Sequence, residues 1–235
     1  MKITRDNVVS LGLAMFAWCL LAFTWLAVCL GLGVVVRGAE PYSFPVPRNE
    51  MPEAYRPYQA ICNIRYEGWS GSGVLIATHE NGTALVLSCR HVNQKVGDVS
   101  TVTWPLAGGQ MSAGVVYEVI PGNGFDTDLA LVVCQRPVSV NPVKVATFDP
   151  AAGPFVGAGW RDNRLRIAVA DVAALRGQSL IWMPSPFIGG QSGGCLFNRH
   201  GEQVAVVVAS DRVTWGVSCD GPLLHALVNK YKREK

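Results

Sequence analysis

From about Ala60 onward the chain is a succession of short, Val-rich apolar runs separated by Gly, Pro, Asn and Asp, and this pattern constrains the fold most tightly. Runs this short, bounded by turn residues, read as strands. Residues 73–79 and 84–89 flank Asn81-Gly82, a pair that supplies the positive φ a tight hairpin turn demands. Further strands are predicted at residues 114–120, 129–134, 143–148, 165–171, 179–183, 203–209 and 212–218. No amphipathic helical pattern interrupts them until residues 222–231. The expected domain is all-β, a sandwich or barrel with one C-terminal helix. It spans residues 58–235 and divides near residues 149–160, where two small barrels would meet.

The N-terminus follows a different rule. Residues 8–36 contain no charged side chain, a run of about 29 residues where roughly 20 suffice to cross a bilayer. A cleavable signal has a shorter apolar core. Lys2 and Arg5 precede the run, so residues 1–7 are expected in the cytoplasm and everything after Arg37 outside it. A retained transmembrane anchor is favoured over secretion after cleavage, because Arg37 occupies a position that prefers a small residue. Residues 37–57 carry Pro41, Pro45, Pro47, Pro52 and Pro57 and are expected to be an extended spacer.

Composition narrows the functional class. The formal net charge is +3, with no basic stripe interleaved with aromatics, which argues against a nucleic-acid binder. The one basic run, Lys230, Lys232, Arg233 and Lys235, suits the last turn of the C-terminal helix. Cys19 and Cys29 lie in the apolar segment; Cys62, Cys89, Cys134, Cys195 and Cys219 lie in the domain and form no C-x-x-C pair. Neither a metal site nor any cofactor is expected from that spacing. An exported chain can form two disulfides among the five and leave one thiol free, whereas Cys134, inside an apolar run, reads as a core residue.

Three local motifs carry chemistry, in the order His, Asp, Ser. Ser88-Cys89-Arg90-His91-Val92 closes the predicted hairpin, Asp128-Leu129-Ala130 opens an apolar strand, and Gly189-Gly190-Gln191-Ser192-Gly193-Gly194 is a glycine-dense turn. A serine hydroxyl becomes a nucleophile when an imidazole takes its proton. The imidazole needs a buried carboxylate to fix its tautomer. The tetrahedral intermediate needs backbone N–H donors, and glycines let the main chain approach it. Asp126 competes with Asp128 for the acid role; Asp128 is preferred because it directly precedes the Leu-Ala-Leu strand.

Together these motifs resemble the trypsin/chymotrypsin superfamily, and within it the compact bacterial peptidases similar to the high-temperature-requirement proteases. The resemblance runs from about residue 62 to 225. Gly71-Ser72-Gly73-Val74-Leu75-Ile76 resembles the family's G-S-G-x-[LIV]-[LIV] strand, and Ser88-Cys89-Arg90-His91-Val92 its [ST]-A-x-H-V element with Cys89 in place of Ala. Asp128-Leu129-Ala130 resembles D-[LI]-A, and Gly190-Gln191-Ser192-Gly193-Gly194 resembles G-[DN]-S-G-G. The resemblance implies two six-stranded antiparallel barrels, a serine endopeptidase with triad His91, Asp128 and Ser192, and oxyanion donors at the N–H groups of Gly190 and Ser192. It implies protein or peptide substrates and places the base of the primary pocket at Pro186. An uncharged Pro186 predicts a small or apolar residue before the scissile bond, whereas Asp211 on the pocket wall would favour a basic one. Gln191 replaces the acid that pairs with a freed N-terminus in secreted animal members, so no such zymogen switch is expected. Cys195 stands where the family has Pro and can pair with Cys219.

Two other classes stay open on sequence alone: a protease fold that captures peptides without turnover, and a structural anchor for which Ser192 is dispensable. The oligomeric state is not legible.

Overall fold

The computed structural model describes residues 42–43, 56–121, 127–170, 174–176, 180–182, 187, 189–209 and 214–234. Strand β1 (Tyr42–Ser43) precedes a one-turn helix, Arg56–Gln59, whose Pro57 sits in the first turn, where a missing N–H costs nothing. Six strands then close into a barrel: β2 (Ile61–Tyr66), β3 (Trp69–Thr78), β4 (Thr83–Ser88), β5 (Val99–Trp104), β6 (Gln110–Val119) and β7 (Ala130–Gln135). Their order is β2-β3-β4-β7-β6-β5, and β5 returns to β2 through pairs such as Ile64 with Val102, so the barrel has no free edge. The β3–β4 hairpin turns where Asn81-Gly82 predicts it. Gly82 has φ +84°, and the Asn81 side chain accepts from the Thr83 N–H at 3.0 Å.

The rest of the domain is an eight-stranded antiparallel sheet. To β1 it adds β8 (Phe155–Arg161), β9 (Arg164–Ala170), β10 (Ala174–Arg176), β11 (Leu180–Trp182), β12 (Cys195–Phe197), β13 (Gln203–Ala209) and β14 (Thr214–Ser218). The order is β1-β9-β8-β12-β13-β14-β11-β10. Among the described residues its ladder does not close on itself, and the second barrel expected from the sequence is not shown. The central strand β13 is buried on both faces through Val208, which explains its unbroken apolar run. The C-terminal helix, Pro222–Arg233, buries Leu224 and Tyr231.

Barrel and sheet share one apolar core through Ile61, Leu75, Trp160, Cys195 and Val206. A smaller cluster, including Phe148, Phe155, Phe187 and Leu196, packs separately. Trp160 ties the halves together: its indole N–H donates to the Ile61 carbonyl at 2.9 Å, and its backbone N–H to Ser72 Oγ at 2.7 Å.

Two expectations are corrected. Residues 143–148 are not a strand; Val145 makes only an isolated bridge to Gln203, and the Phe148 N–H goes to Asp220 Oδ1 at 2.9 Å instead of a ladder partner. Cys195 and Cys219 do not pair, and all five described cysteines are free and buried. Cys195 lies opposite Val206, while the Cys219 N–H bonds the Val204 carbonyl on the other side of β13. Two inter-strand spacings, about 9.6 Å, exceed the roughly 4.4–6.8 Å between Cα atoms that a disulfide spans.

Among the described residues no helix is long and apolar enough to cross a membrane; residues 8–36 lie outside them.

Candidate active site

Strand pairing explains why two distant residues meet. In the β4–β7 ladder Ser88 lies opposite Ala130, so the residues just after β4 and just before β7 emerge at the same end of the barrel. His91 and Asp128 occupy those positions. His91 Nδ1 lies 2.6 Å from Asp128 Oδ2, and the His91 backbone N–H donates to Asp128 Oδ1 at 2.9 Å. One carboxylate thus fixes both the ring and the main chain of the histidine. The Arg90 N–H donates to the Asp128 carbonyl at 3.3 Å and adds a third tie.

Asp128 is buried, whereas the His91 side chain remains 42% exposed, open to an approaching substrate. Burial acts to lower the His91 pKa. Hydrogen bonds with Asp128 and then Cys89, and the charges of both, outweigh it and raise the value from 6.5 to about 10. With Nδ1–H donated to Asp128, the neutral ring carries its lone pair on Nε2. That atom lies 3.7 Å from Cys89 Sγ. Burial pushes the Cys89 thiol up. The ligand-grade atoms of Cys89, His91 and Asp128 all lie within 4.8 Å of one another; among the described residues no other His, Cys, Asp and Glu side chains form such a group.

Ser192 sits in the turn that enters β12 and is buried. The turn is held by Gly194 N–H to the Gln191 carbonyl at 3.0 Å and Gly193 N–H to the Val207 carbonyl at 2.8 Å. Gly193 has φ +83°, and a Cβ there would meet the Ser72 carbonyl oxygen at 2.0 Å and Ser88 Oγ at 2.5 Å. Gly190, also at positive φ (+92°), is part-exposed beside it.

The serine turn docks on β3 beside the histidine loop. The Ser72 N–H donates to the Ser192 carbonyl at 2.6 Å. Next to it, the space a Gly71 Cβ would fill is bounded by the Ser192 carbonyl oxygen at 2.9 Å and the Val92 side chain at 2.7 Å. Val92 follows His91, so a side chain of one motif and the backbone of the other converge on one glycine. Ser88 Oγ donates to the Ser72 carbonyl at 2.7 Å, and Asn93 Nδ2 donates to Ser88 Oγ at 3.1 Å and to the Cys89 carbonyl at 3.3 Å. Ser72, Ser88 and Asn93 thus position the site, and the sequence reading assigned them no role. Two of them stand inside quoted motifs, yet only their cross-strand bonds reveal the function.

His91, Asp128 and Ser192 are therefore gathered at one junction of barrel and sheet, with Gly190 beside them. Pro186 and Asp211, the expected pocket residues, and Asp126, the alternative acid, lie outside the described residues.

Comparison with known proteins agrees with this architecture. The model of the trypsin-like peptidase domain matches residues 71–206. No curated protein matches. Among solved structures, the chain is similar to the serine protease of a human pathogenic astrovirus, with TM-score 0.54 and 17% identity over 71% of this chain and 92% of that one. It is similar to a Glu endopeptidase, with TM-score 0.61 and 15% identity over 79% of this chain and 96% of that one. It is also similar to a serine endoprotease from Yersinia pestis, with TM-score 0.54 and 21% identity over 77% of this chain and 66% of that one. At these identities the neighbours speak for the fold, and the family match spans more than half of the sequence: the chain belongs to the trypsin-like peptidase domain family.

Proposed function

We propose that the protein is a serine endopeptidase that hydrolyses peptide bonds through an acyl-enzyme. Ser192 attacks the scissile carbonyl, His91 takes its proton through Nε2 and returns it to the leaving amine, and Asp128 holds the ring and stabilises the imidazolium. The N–H groups of Gly190 and Ser192 stabilise the oxyanion, a contribution of about 3–4 kcal/mol for one such donor. The carrying observation is the double grip of Asp128 on His91, at 2.6 Å to the ring and 2.9 Å to the backbone. An acid that fixes only the fold has no need to orient an exposed imidazole.

The primary pocket, based on Pro186, accepts small or apolar residues. A peptide library cleaved strictly after Lys or Arg would transfer the role to Asp211. Residues 8–36 anchor the protein in the membrane, with the peptidase domain outside the cytoplasm. Release of the chain by alkaline carbonate, or its recovery without the apolar segment, would contradict the anchor.

The decisive experiment is labelling of the full chain with a fluorescent fluorophosphonate beside Ser192→Ala. Labelling lost in the variant supports an activated serine. A folded wild type that stays unlabelled favours peptide capture without turnover, a second reading supported by the contact of Nε2 with Cys89 Sγ at 3.7 Å.

A further inference from the structure

The Nε2 atom that must accept the serine proton also faces a thiol. Where the family resembled by the sequence carries Ala, this chain carries Cys89, with Sγ 3.7 Å from His91 Nε2. A tetrahedral zinc ion with bonds of about 2.3 Å to sulfur and about 2.05 Å to nitrogen holds those two donors about 3.5 Å apart. The pair is therefore already spaced as a bite for one ion. The next shell is equally apt: a zinc-bound histidine commonly donates its other ring N–H to a carboxylate, and His91 Nδ1 lies 2.6 Å from Asp128 Oδ2. Thiolate and imidazole select soft or borderline divalent cations over Mg²⁺ and Ca²⁺.

We propose that Cys89 and His91 form an inhibitory site for a thiophilic divalent cation, Zn²⁺ in the first place. The ion enters across the exposed face of His91, displaces the Cys89 thiol proton and the Nε2 proton to solvent, and bonds Sγ and Nε2; water fills its remaining positions. With its lone pair committed to the metal, Nε2 cannot take the Ser192 proton, and hydrolysis stops until the ion is chelated. The sequence gives no hint of this, because Cys89 and His91 are only two residues apart and no further ligand follows at a zinc-like spacing. Strand β4 ends at Ser88, and the turn after it swings the ring back over the sulfur.

The shut-off rests on the peptidase reading, but the site itself does not, so two readouts separate them. Co²⁺ titrated into the metal-free full chain should produce a thiolate-to-cobalt charge-transfer band and strong visible bands. Both should be lost in Cys89→Ala, with Cys89→Ser as a second variant if the first is misfolded by circular dichroism. No band in the wild type, or an equal band in the folded variants, overturns the site whether or not the protein is active. Micromolar Zn²⁺ should slow fluorophosphonate labelling of the wild type at least tenfold, reversibly with EDTA, and leave Cys89→Ala labelled at its metal-free rate. Equal inhibition of both, or none in a labelled wild type, overturns the switch. A wild type unlabelled even in EDTA defeats the peptidase reading and leaves the cobalt result standing.

Discussion

The backbone N–H of Ser72 donates to the carbonyl of Ser192 at 2.6 Å, while the Ser72 hydroxyl accepts the Trp160 N–H at 2.7 Å. One barrel residue therefore holds both the serine turn and strand β8 of the sheet behind it. Ser72 is fully buried, so removing its hydroxyl leaves the Trp160 N–H without its acceptor. Ser72→Ala is expected to cost about 1–3 kcal/mol, read from the urea midpoint, and to slow labelling of Ser192 without abolishing it. An unchanged midpoint would show that the clamp is redundant.

Two glycines at nearly the same backbone angle should respond very differently to alanine. Gly82, φ +84°, has open space where a Cβ would go, and Gly82→Ala should cost only about 1–2 kcal/mol of left-handed strain. Gly193, φ +83°, would drive its Cβ onto the Ser72 carbonyl oxygen at 2.0 Å. Gly193→Ala should add a steric penalty to the same strain, bringing the loss to about 3 kcal/mol or more, with labelling abolished. Equal losses for the two variants would mean that the serine turn shifts freely.

A general base works only when neutral, and Asp128 and Cys89, acting against burial, raise the His91 pKa to about 10. In EDTA the labelling rate should therefore climb with pH well above 6.5, the point at which an ordinary imidazole is half deprotonated. The proton is held more tightly by the folded chain. Its stabilising contribution is thus complete below 6.5 and is lost as pH rises through about 10. Ring resonances of His91 in Ser192→Ala should titrate above 6.5, and Asp128→Asn should bring the midpoint down. A midpoint at or below 6.5 with Asp128 intact would refute the assignment.

Cys62, Cys89, Cys134, Cys195 and Cys219 are all free and buried. In the metal-free folded protein a polar thiol reagent should leave these five untouched, and all five should react once guanidinium unfolds the chain without reductant. A mass two hydrogens low, mapped to any pair among them, would restore the disulfide.

What the sequence disclosed depended on how locally each feature is encoded. The β3–β4 hairpin was legible because Asn81-Gly82 specifies its own turn. His91, Asp128 and Ser192 could be singled out because each lies in a short motif, although only the β4–β7 register brings the first two to 2.6 Å. Strands β1, β2, β5, β8, β10 and β12 were missed. In β5, Val99–Trp104, exposed Val99 and Thr101 alternate with buried Ser100, an inversion that conceals the inward face. Strand β12 has three residues, too few for any period, and β8 hides its apolar pattern behind Gly157 and Gly159. Residues 143–148 erred the other way, since apolar residues there plug a core while their backbone bonds go elsewhere.

The barrel is contiguous, running from Ile61 to Gln135, so every one of its ladders is complete before residue 192 has been synthesised. Domains that are continuous in sequence can fold as units while the remainder is still being made. On the peptidase reading, His91 and Asp128 are thereby assembled in one finished half, and Ser192 arrives later on a sheet that must dock before hydrolysis can run. On that reading the growing polypeptide lacks its nucleophile until residue 192 has been made, a delay set by the order of the genetic message.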